Sequence, residues 1–499
     1  MRSRATPMVS AAAIAATCAL AACSESMPIA EVAHVYATCS DTSPCAADAE
    51  CVEGECLPRC QGGPACWSSS YAVPLGQVCW QDGCRSECDE SHPCTQAFSC
   101  VDGTCVQAPC EHPEYWSKSL ASSTYPILVH YRDDVELPMA KATLSTMEHS
   151  WQVETEDLGF WPPLPDEGQC GPDDAFDVFL WRTYRAGGVE VSVENPATEW
   201  DDYFSYMNLD PWGPYGGELL PVLVAHELSH GSQAAYDWWE TPIFFEMTSQ
   251  FVQTEVYPEL SDYPDYLFDF QHNPDWAFDY NDDYATWYMY GSALYLFYLQ
   301  AAVFEGDGSF VAQIWDGSRN PAGDNEPDFE DALESMLQAQ AGKSFLDSVV
   351  QFGRWRYYTG FRDDGAHFPE GASLPDSAMV RLELSTHVPT TTPMTLDFSP
   401  GPMLLGAHYV ELYLDEGDPT DFTLAFTGDP AVRWAVQVVP GLDQTSDGEL
   451  LDLTTGTATL HFGTLGARTL IVLALPAGAD DPEDRTSDRY SYSLSLTPQ

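Results

Sequence analysis

Apolar side chains set the first landmarks along the chain. Leu144, Met147, Trp151 and Leu158 follow one another at helical spacing, so they predict a helix with one buried face. Ile127 to Tyr131 before it and Phe176 to Leu180 after it are short apolar runs of strand length. Leu219 to Tyr236 is a longer apolar stretch that reads as a helix, with Pro221 where a first turn tolerates proline. Thr241-Pro242 then reads as the N-cap and first turn of a second helix through Ile243-Phe244-Phe245-Glu246-Met247. Tyr284 to Phe304, Phe329 to Gln340 and Ser344 to Tyr358 predict three more helices packed below this pair. From about Ala378 the period falls to two. Seven short runs, Thr395 to Phe398, His408 to Leu414, Phe422 to Phe426, Trp434 to Val439, Thr457 to Phe462, Thr469 to Leu475 and Tyr490 to Leu496, predict a β-sandwich.

The N-terminal residues carry a different signal. Arg2 and Arg4, an apolar run from Met8 to Ala22, and small residues before Cys23 describe an export signal too short to be a convincing membrane span. Leu20-Ala21-Ala22-Cys23 resembles a bacterial lipobox, which implies cleavage before Cys23 and lipidation of its thiol. Ser24 in the next position favours the outer membrane or cell surface over inner-membrane retention. Of the sixteen cysteines, Cys18 leaves with the signal and Cys23 takes lipid, so an even fourteen remain for disulfides in an oxidising compartment. Twelve form three units: Cys39, Cys45, Cys51, Cys56; then Cys60, Cys66, Cys79, Cys84; then Cys88, Cys94, Cys100, Cys105. The first and third share one spacing, and so few aliphatic residues lie among them that disulfides must replace a core. Cys110 and Cys170 are left to pair with each other. Gln169-Cys170-Gly171-Pro172-Asp173 superficially resembles a cysteine switch, but the even cysteine count argues against a free thiol there.

Charge narrows the partners. Nineteen Lys plus Arg face 77 Asp plus Glu, and a net charge of −58 excludes phosphate backbones and anionic membrane surfaces as natural partners, hence no nucleic acid. Asp279 to Asp283 and Asp480 to Asp484 are dense enough in carboxylates to raise Ca2+, but neither matches an EF-hand loop and solvated loops are the simpler reading.

His226-Glu227-Leu228-Ser229-His230 is where chemistry concentrates. Positions four apart nearly superimpose on a helix, so both imidazoles leave one face and can share a metal, with Glu227 beside them to take a proton from water. A catalytic zinc needs a third protein ligand and an open position. Gln233 and Tyr236 stand where the HExxHxxGxxH pattern needs glycine and histidine, and Asp237 is one residue out of register for the aspartate version. Glu240 precedes the second helix, whereas Glu246 lies inside it among apolar neighbours, where a carboxylate needs a partner. A metal supplies one; water or an arginine is the alternative.

With that pattern the chain resembles the gluzincins, metallopeptidases with HExxH on one helix and a glutamate ligand on the next. More narrowly it is similar to a family of secreted bacterial metalloproteases, over about residues 120 to 365. The matching segments are Tyr125 to Tyr131, Trp151, Asp177 to Leu180, His226 to Asp237, Phe244 to Tyr257 and Tyr290-Gly291-Ser292. Met247 departs from the small residue usual after the ligand glutamate, which bears on pocket shape. The resemblance implies Zn2+ held by His226, His230 and Glu246, with Glu227 as general base and then acid. It also implies a downstream donor for the developing oxyanion; Tyr290 is the first choice, ahead of Tyr288, Tyr284 and His272.

The expected layout is multidomain: a lipoprotein signal peptide over 1–22, a tether over 23–38, a disulfide-rich repeat module over 39–110, an α+β zincin-like metalloprotease domain over 111–378 and an all-β sandwich over 379–499. The expected activity is zinc-dependent hydrolysis of protein or peptide substrates outside the cytoplasm, by a protein held to the membrane through Cys23. No Gly-x-Met-Glu-Asn motif lies upstream, which favours an endopeptidase. The competing expectation is a non-enzymatic surface adhesin with a structural metal, against which an intact Glu227 speaks.

Overall fold

The computed structural model describes residues 116–499 apart from 133–134, 136, 167, 169, 172, 182–186, 213–216, 282–285, 325, 415–420, 441–447, 463–465 and 479–486, together with Cys110 and six short strands before it. The export signal, Cys23 and the tether lie outside the described residues. The six strands are β1 (Ala49–Val52), β2 (Glu55–Pro58), β3 (Val78–Trp80), β4 (Gly83–Arg85), β5 (Phe98–Val101) and β6 (Thr104–Gln107). They pair as three hairpins, whose registers set Cys51 opposite Cys56, Cys79 opposite Cys84 and Cys100 opposite Cys105. Each hairpin carries the last two cysteines of one of the expected four-cysteine units.

The next unit is built on a five-stranded sheet. Its elements are β7 (Lys118–Ala121), β8 (Ile127–Tyr131), α1 (Leu137–Gln152), β9 (Phe176–Leu180), β10 (Gly187–Glu194) and β11 (Tyr203–Leu209), in spatial order β10-β11-β9-β8-β7. The central strands β11, β9 and β8 are parallel, and both edges are antiparallel. β8 and β9 have the bounds expected from their apolar runs. α1 continues into one π-helical turn, Val153–Asp157.

α2 (Leu220–Ala234) follows β11 and joins α1 on one face of the sheet. Met147, Trp151, Leu223, Val224 and Leu228 there cover Val129, Val178 and Met207. On the other face Trp116 and Cys170 cover Phe179, Trp181 and Tyr206. Cys170 is disulfide-bonded to Cys110, with their Cα atoms 4.5 Å apart.

The helical half comprises α3 (Pro242–Val256), α4 (Tyr263–His272), α5 (Tyr288–Gly291), α6 (Leu294–Ala302), α7 (Phe310–Gly317), α8 (Phe329–Ala341) and α9 (Phe345–Trp355). The single helix expected over Tyr284 to Phe304 is instead two, α5 and α6. Close packing accompanies the break: a Cβ on Gly291 would lie 2.7 Å from the Tyr266 carbonyl oxygen of α4, so α5 is pressed against α4 at this residue. The Ser292 hydroxyl, just past it, turns back onto the Met289 carbonyl, a bond that bends helices.

Two further sheets follow. Their strands are β12 (Leu384–His387), β13 (Met394–Phe398), β14 (Ala407–Tyr413), β15 (Asp421–Gly428), β16 (Arg433–Pro440), β17 (Glu449–Leu450), β18 (Thr457–His461), β19 (Ala467–Leu475) and β20 (Tyr492–Pro498). One sheet has the order β12-β14-β19-β16-β17 and the other β13-β20-β15-β18. Val410, Val436 and Val472 from the first meet Phe422, Leu460 and Leu494 from the second in one core, so the pair forms a sandwich. All seven expected strands occur, with β12 and β17 added.

The sandwich and the helices share a second core. Tyr409, Ile471 and Leu473 belong to the same buried cluster as Phe352, Tyr295 and Phe251. A Cβ on Gly353 of α9 would lie 3.3 Å from Leu473, and the Tyr409 hydroxyl donates to the Gly353 carbonyl at 2.8 Å. The architecture is therefore mixed α and β, in several parts packed on one another. No helix among the described residues is long and apolar enough to cross a membrane.

Candidate metal centre

α2 is almost wholly interior: of its residues only Pro221 and His230 keep partial exposure. Leu223, Val224 and Leu228 spend one face on the sheet, which leaves the face bearing His226 and His230 to α3. From α3, Glu246 projects between the two histidines.

His226 Nε2 lies 3.2 Å from His230 Nε2 and 3.2 Å from Glu246 Oε2, and His230 Nε2 lies 3.8 Å from the same oxygen. A tetrahedral ion with bonds of about 2.0 to 2.1 Å sets its ligand atoms about 3.3 Å apart. The three atoms therefore surround a point at zinc distance from each, and the donor set of two imidazole nitrogens and one carboxylate oxygen suits that ion.

The outer ring nitrogens point the lone pairs inward. His226 Nδ1 meets Gln253 Oε1 at 2.9 Å, and His230 Nδ1 meets Gln233 Oε1 at 2.7 Å. An amide oxygen only accepts, so each imidazole donates from Nδ1 and keeps Nε2 for the shared point.

Electrostatics agree. Burial pulls His226 down, but its hydrogen bond with Glu246, the charges of Glu246 and Glu227 and its hydrogen bond with Gln253 together outweigh this and raise it to about 9. Burial dominates at His230 and, with the charge on His226 adding to it, brings that imidazole down to about 4 despite Glu246. Glu246 is itself buried, which pushes it up, yet His226 and His230 hold it below the ordinary carboxylate range. Without an ion, a proton shared between His226 Nε2 and Glu246 occupies the point, and a cation bound there would displace it.

Glu227 is also buried, and its charge acts on His226 from the same helix. Tyr290 stacks on His226, with ring centres 6.0 Å apart, and its hydroxyl hydrogen-bonds Glu246. The other candidate donors lie elsewhere. Tyr288 donates to the Ala277 carbonyl at 2.6 Å in the core, His272 bonds its own helix at the Phe268 carbonyl, and Tyr284 is outside the described residues.

The rejected carboxylates have structural work. Glu240 accepts from the backbone N–H groups of Thr241 and Phe329, and Asp237 from Trp239 N–H and the Asn320 amide. Gln233 and Gln253 were not among the residues expected at the site. Their signal is spacing: Gln233 comes three residues after His230, and Gln253 seven after Glu246, two turns along the same face.

No family model matches this chain. No curated protein matches it either. Solved structures do. One is a periplasmic inhibitor of g-type lysozyme, PliG, from Aeromonas hydrophila: 13% identical, TM-score 0.17, covering 24% of this chain and 100% of that one. Another is the pre-peptidase C-terminal domain of a collagenase from Bacillus anthracis: 9% identical, TM-score 0.17, covering 24% and 97%. Likenesses of this size say nothing about the metal centre.

Among the described residues two other acidic groups come close together. Asp166, Cys170 and Asp177 form one, but the Cys170 sulfur is in the disulfide, Asp166 takes the Gly168 and Cys170 N–H groups, and Asp177 is bonded to His130. Glu326, Asp328 and Asp331 form the other, at the start of α8, where Asp328 accepts the Asp331 N–H at 2.8 Å as a helix cap. Neither adds an argument for calcium. Residues 282–283 and 480–484 of the Asp-rich stretches lie outside the described residues.

Proposed function

We propose that this protein is a zinc-dependent metallopeptidase of the gluzincin type, acting on protein or peptide substrates outside the cytoplasm. One observation carries the reading: His226 Nε2, His230 Nε2 and Glu246 Oε2 converge on a point at zinc distance from each, with Glu227 on the same helix. The frame supports it. α2 is the next α-helix after β11, a parallel strand of the sheet, and the antiparallel edge strand β10 lies beside β11.

Zinc held by His226, His230 and Glu246 would polarise a substrate carbonyl and acidify water at neutral pH. Glu227 takes the proton from the attacking water and returns it to the leaving amide nitrogen, a role in which a buried carboxylate is effective. Tyr290 steadies Glu246 through its hydroxyl and is the donor we assign to the negative charge developing on the substrate oxygen.

Export and anchoring belong to the same reading. The Cys110–Cys170 bond suits an oxidising compartment, and the cross-strand cysteines of the three hairpins suit a stapled repeat module. Lipidation at Cys23 would hold the chain at the outer membrane. The test compares wild type with Glu227→Gln by metal analysis and casein digestion. Zinc and fold should persist in the variant while hydrolysis falls by about 10²-fold or more. Undiminished hydrolysis at full zinc occupancy would overturn the mechanism.

A further inference from the structure

We propose that Asp262 is a positioning residue of the metal centre, acting on His226 at one remove through the Gln253 amide. The proposal rests on the zinc reading above and assigns a role to a carboxylate outside the ligand set.

The hydrogen bonds run without a gap. His226 Nδ1 donates to Gln253 Oε1 at 2.9 Å, Gln253 Nε2 donates to Asp262 Oδ1 at 2.5 Å, and Asp262 Oδ2 accepts from the Tyr266 hydroxyl at 3.0 Å. A primary amide accepts at one end and donates at the other, so a carboxylate at its NH2 group polarises its carbonyl oxygen toward the imidazole. His226 thereby gains a fixed tautomer and a more basic Nε2, the usual work of a carboxylate bonded directly to a ligand histidine.

The placement of Asp262 argues for this use. It stands at the N-cap of α4, where an aspartate ordinarily accepts an N–H of the first turn, yet its side chain makes no such bond. It is turned toward α3 instead. The turn between the helices is fastened by the Ser261 and Thr254 hydroxyls, 2.8 Å apart, and by Leu260 N–H on the Tyr257 carbonyl. The carboxylate therefore arrives at Gln253 by construction of the backbone.

His230 has no such support. Gln233, its amide partner, donates to the Thr248 hydroxyl at 2.6 Å and to Ser249 Oγ and the Phe245 carbonyl, both at 3.2 Å. One histidine is thus backed by a charge and the other by neutral groups, so loss of Asp262 acts on His226 alone.

The experiment uses the full chain and four proteins: wild type, Asp262→Ala, Asp262→Asn, and the exchanged pair Gln253→Glu/Asp262→Asn. Zinc affinity is read by competition with a chromogenic chelator, and melting of the zinc-free proteins checks that each is folded. Asp262→Ala should lose about 10- to 100-fold in zinc affinity, and Asp262→Asn, which keeps the acceptor but not the charge, should fall between. The exchanged pair sets a carboxylate directly against His226 with an amide behind it, and should recover most of the loss. Folded Asp262→Ala with wild-type affinity, or an exchanged pair no better than Asp262→Ala, overturns the relay while leaving the zinc reading standing. A wild-type chain that takes up no zinc overturns both.

Discussion

Removing the Glu246 carboxylate separates a built metal centre from a pair of histidines that share a helix by accident. Glu246→Ala deletes one of three protein donors and leaves His226 and His230, 3.2 Å apart at Nε2, with nothing opposite. It also strips the Tyr290 hydroxyl of a bond. Zinc in a four-ligand site is held by about 10 to 16 kcal/mol, or about 2.5 to 4 kcal/mol for each ligand. At 1.4 kcal/mol per decade, that predicts an affinity about 10² to 10³-fold weaker.

Two other glutamates supply the contrast. Glu255 is nine positions further along α3 and so about 180° round from Glu246; it accepts from the Gln300 amide at 3.0 Å. Glu240 receives the N–H groups of Thr241 and Phe329, so Glu240→Ala should cost about 1 to 3 kcal/mol of stability while leaving zinc affinity nearly intact. The assay is zinc stoichiometry after dialysis of each full-length variant against a mild chelator, followed by competition titration. If Glu246→Ala holds zinc as tightly as wild type, the third ligand lies elsewhere and the gluzincin reading loses its support.

Two more expectations follow from groups nearer the periphery. Tyr290→Phe removes the hydroxyl that bonds Glu246 and should weaken zinc by about 10-fold, the lower end for an outer partner of a ligand; unchanged affinity and unchanged hydrolysis would deny Tyr290 any part in the site. Burial pushes His408 down to about 4, so it is neutral in the folded protein and gains a proton on unfolding below pH 6.5. Its contribution is therefore present above pH 6.5 and is lost as the pH falls toward 4, and the stability difference between wild type and His408→Gln should shrink by roughly 2 to 3 kcal/mol between pH 7 and 4.5. Equal urea midpoint differences at the two pH values would refute that assignment.

What the sequence disclosed follows from how locally each feature is determined. β8 and β9 have the bounds expected because strands buried on both faces are written as unbroken apolar runs. β10 carries Val189, Val191 and Val193 in strict alternation with polar residues and was readable by the strand period of two, although it is not among the expected strands. β11 hides its strand behind Ser205 and Asn208, polar residues that are nonetheless buried. Glu246 stood out because a carboxylate among Phe244, Phe245 and Met247 needs a reason. Gln233, Gln253 and Asp262 did not, since an amide on a helix reads as ordinary surface until the register of α2 against α3 is known. The break after Gly291 was invisible for a like reason: it accompanies a close approach to Tyr266, a residue of a different helix.

The seating of Gly353 against Leu473 reaches further than the joint itself. One side of α9 packs on Ile471 and Leu473 of β19 and accepts the Gln437 amide of β16 at Val350; both strands lie far along the chain from the histidines and Glu246. Without those strands α9 and the helices stacked on it would have one bare apolar side. Trimming the sandwich from this chain would therefore uncover that side of α9, and the shortened protein is expected to aggregate.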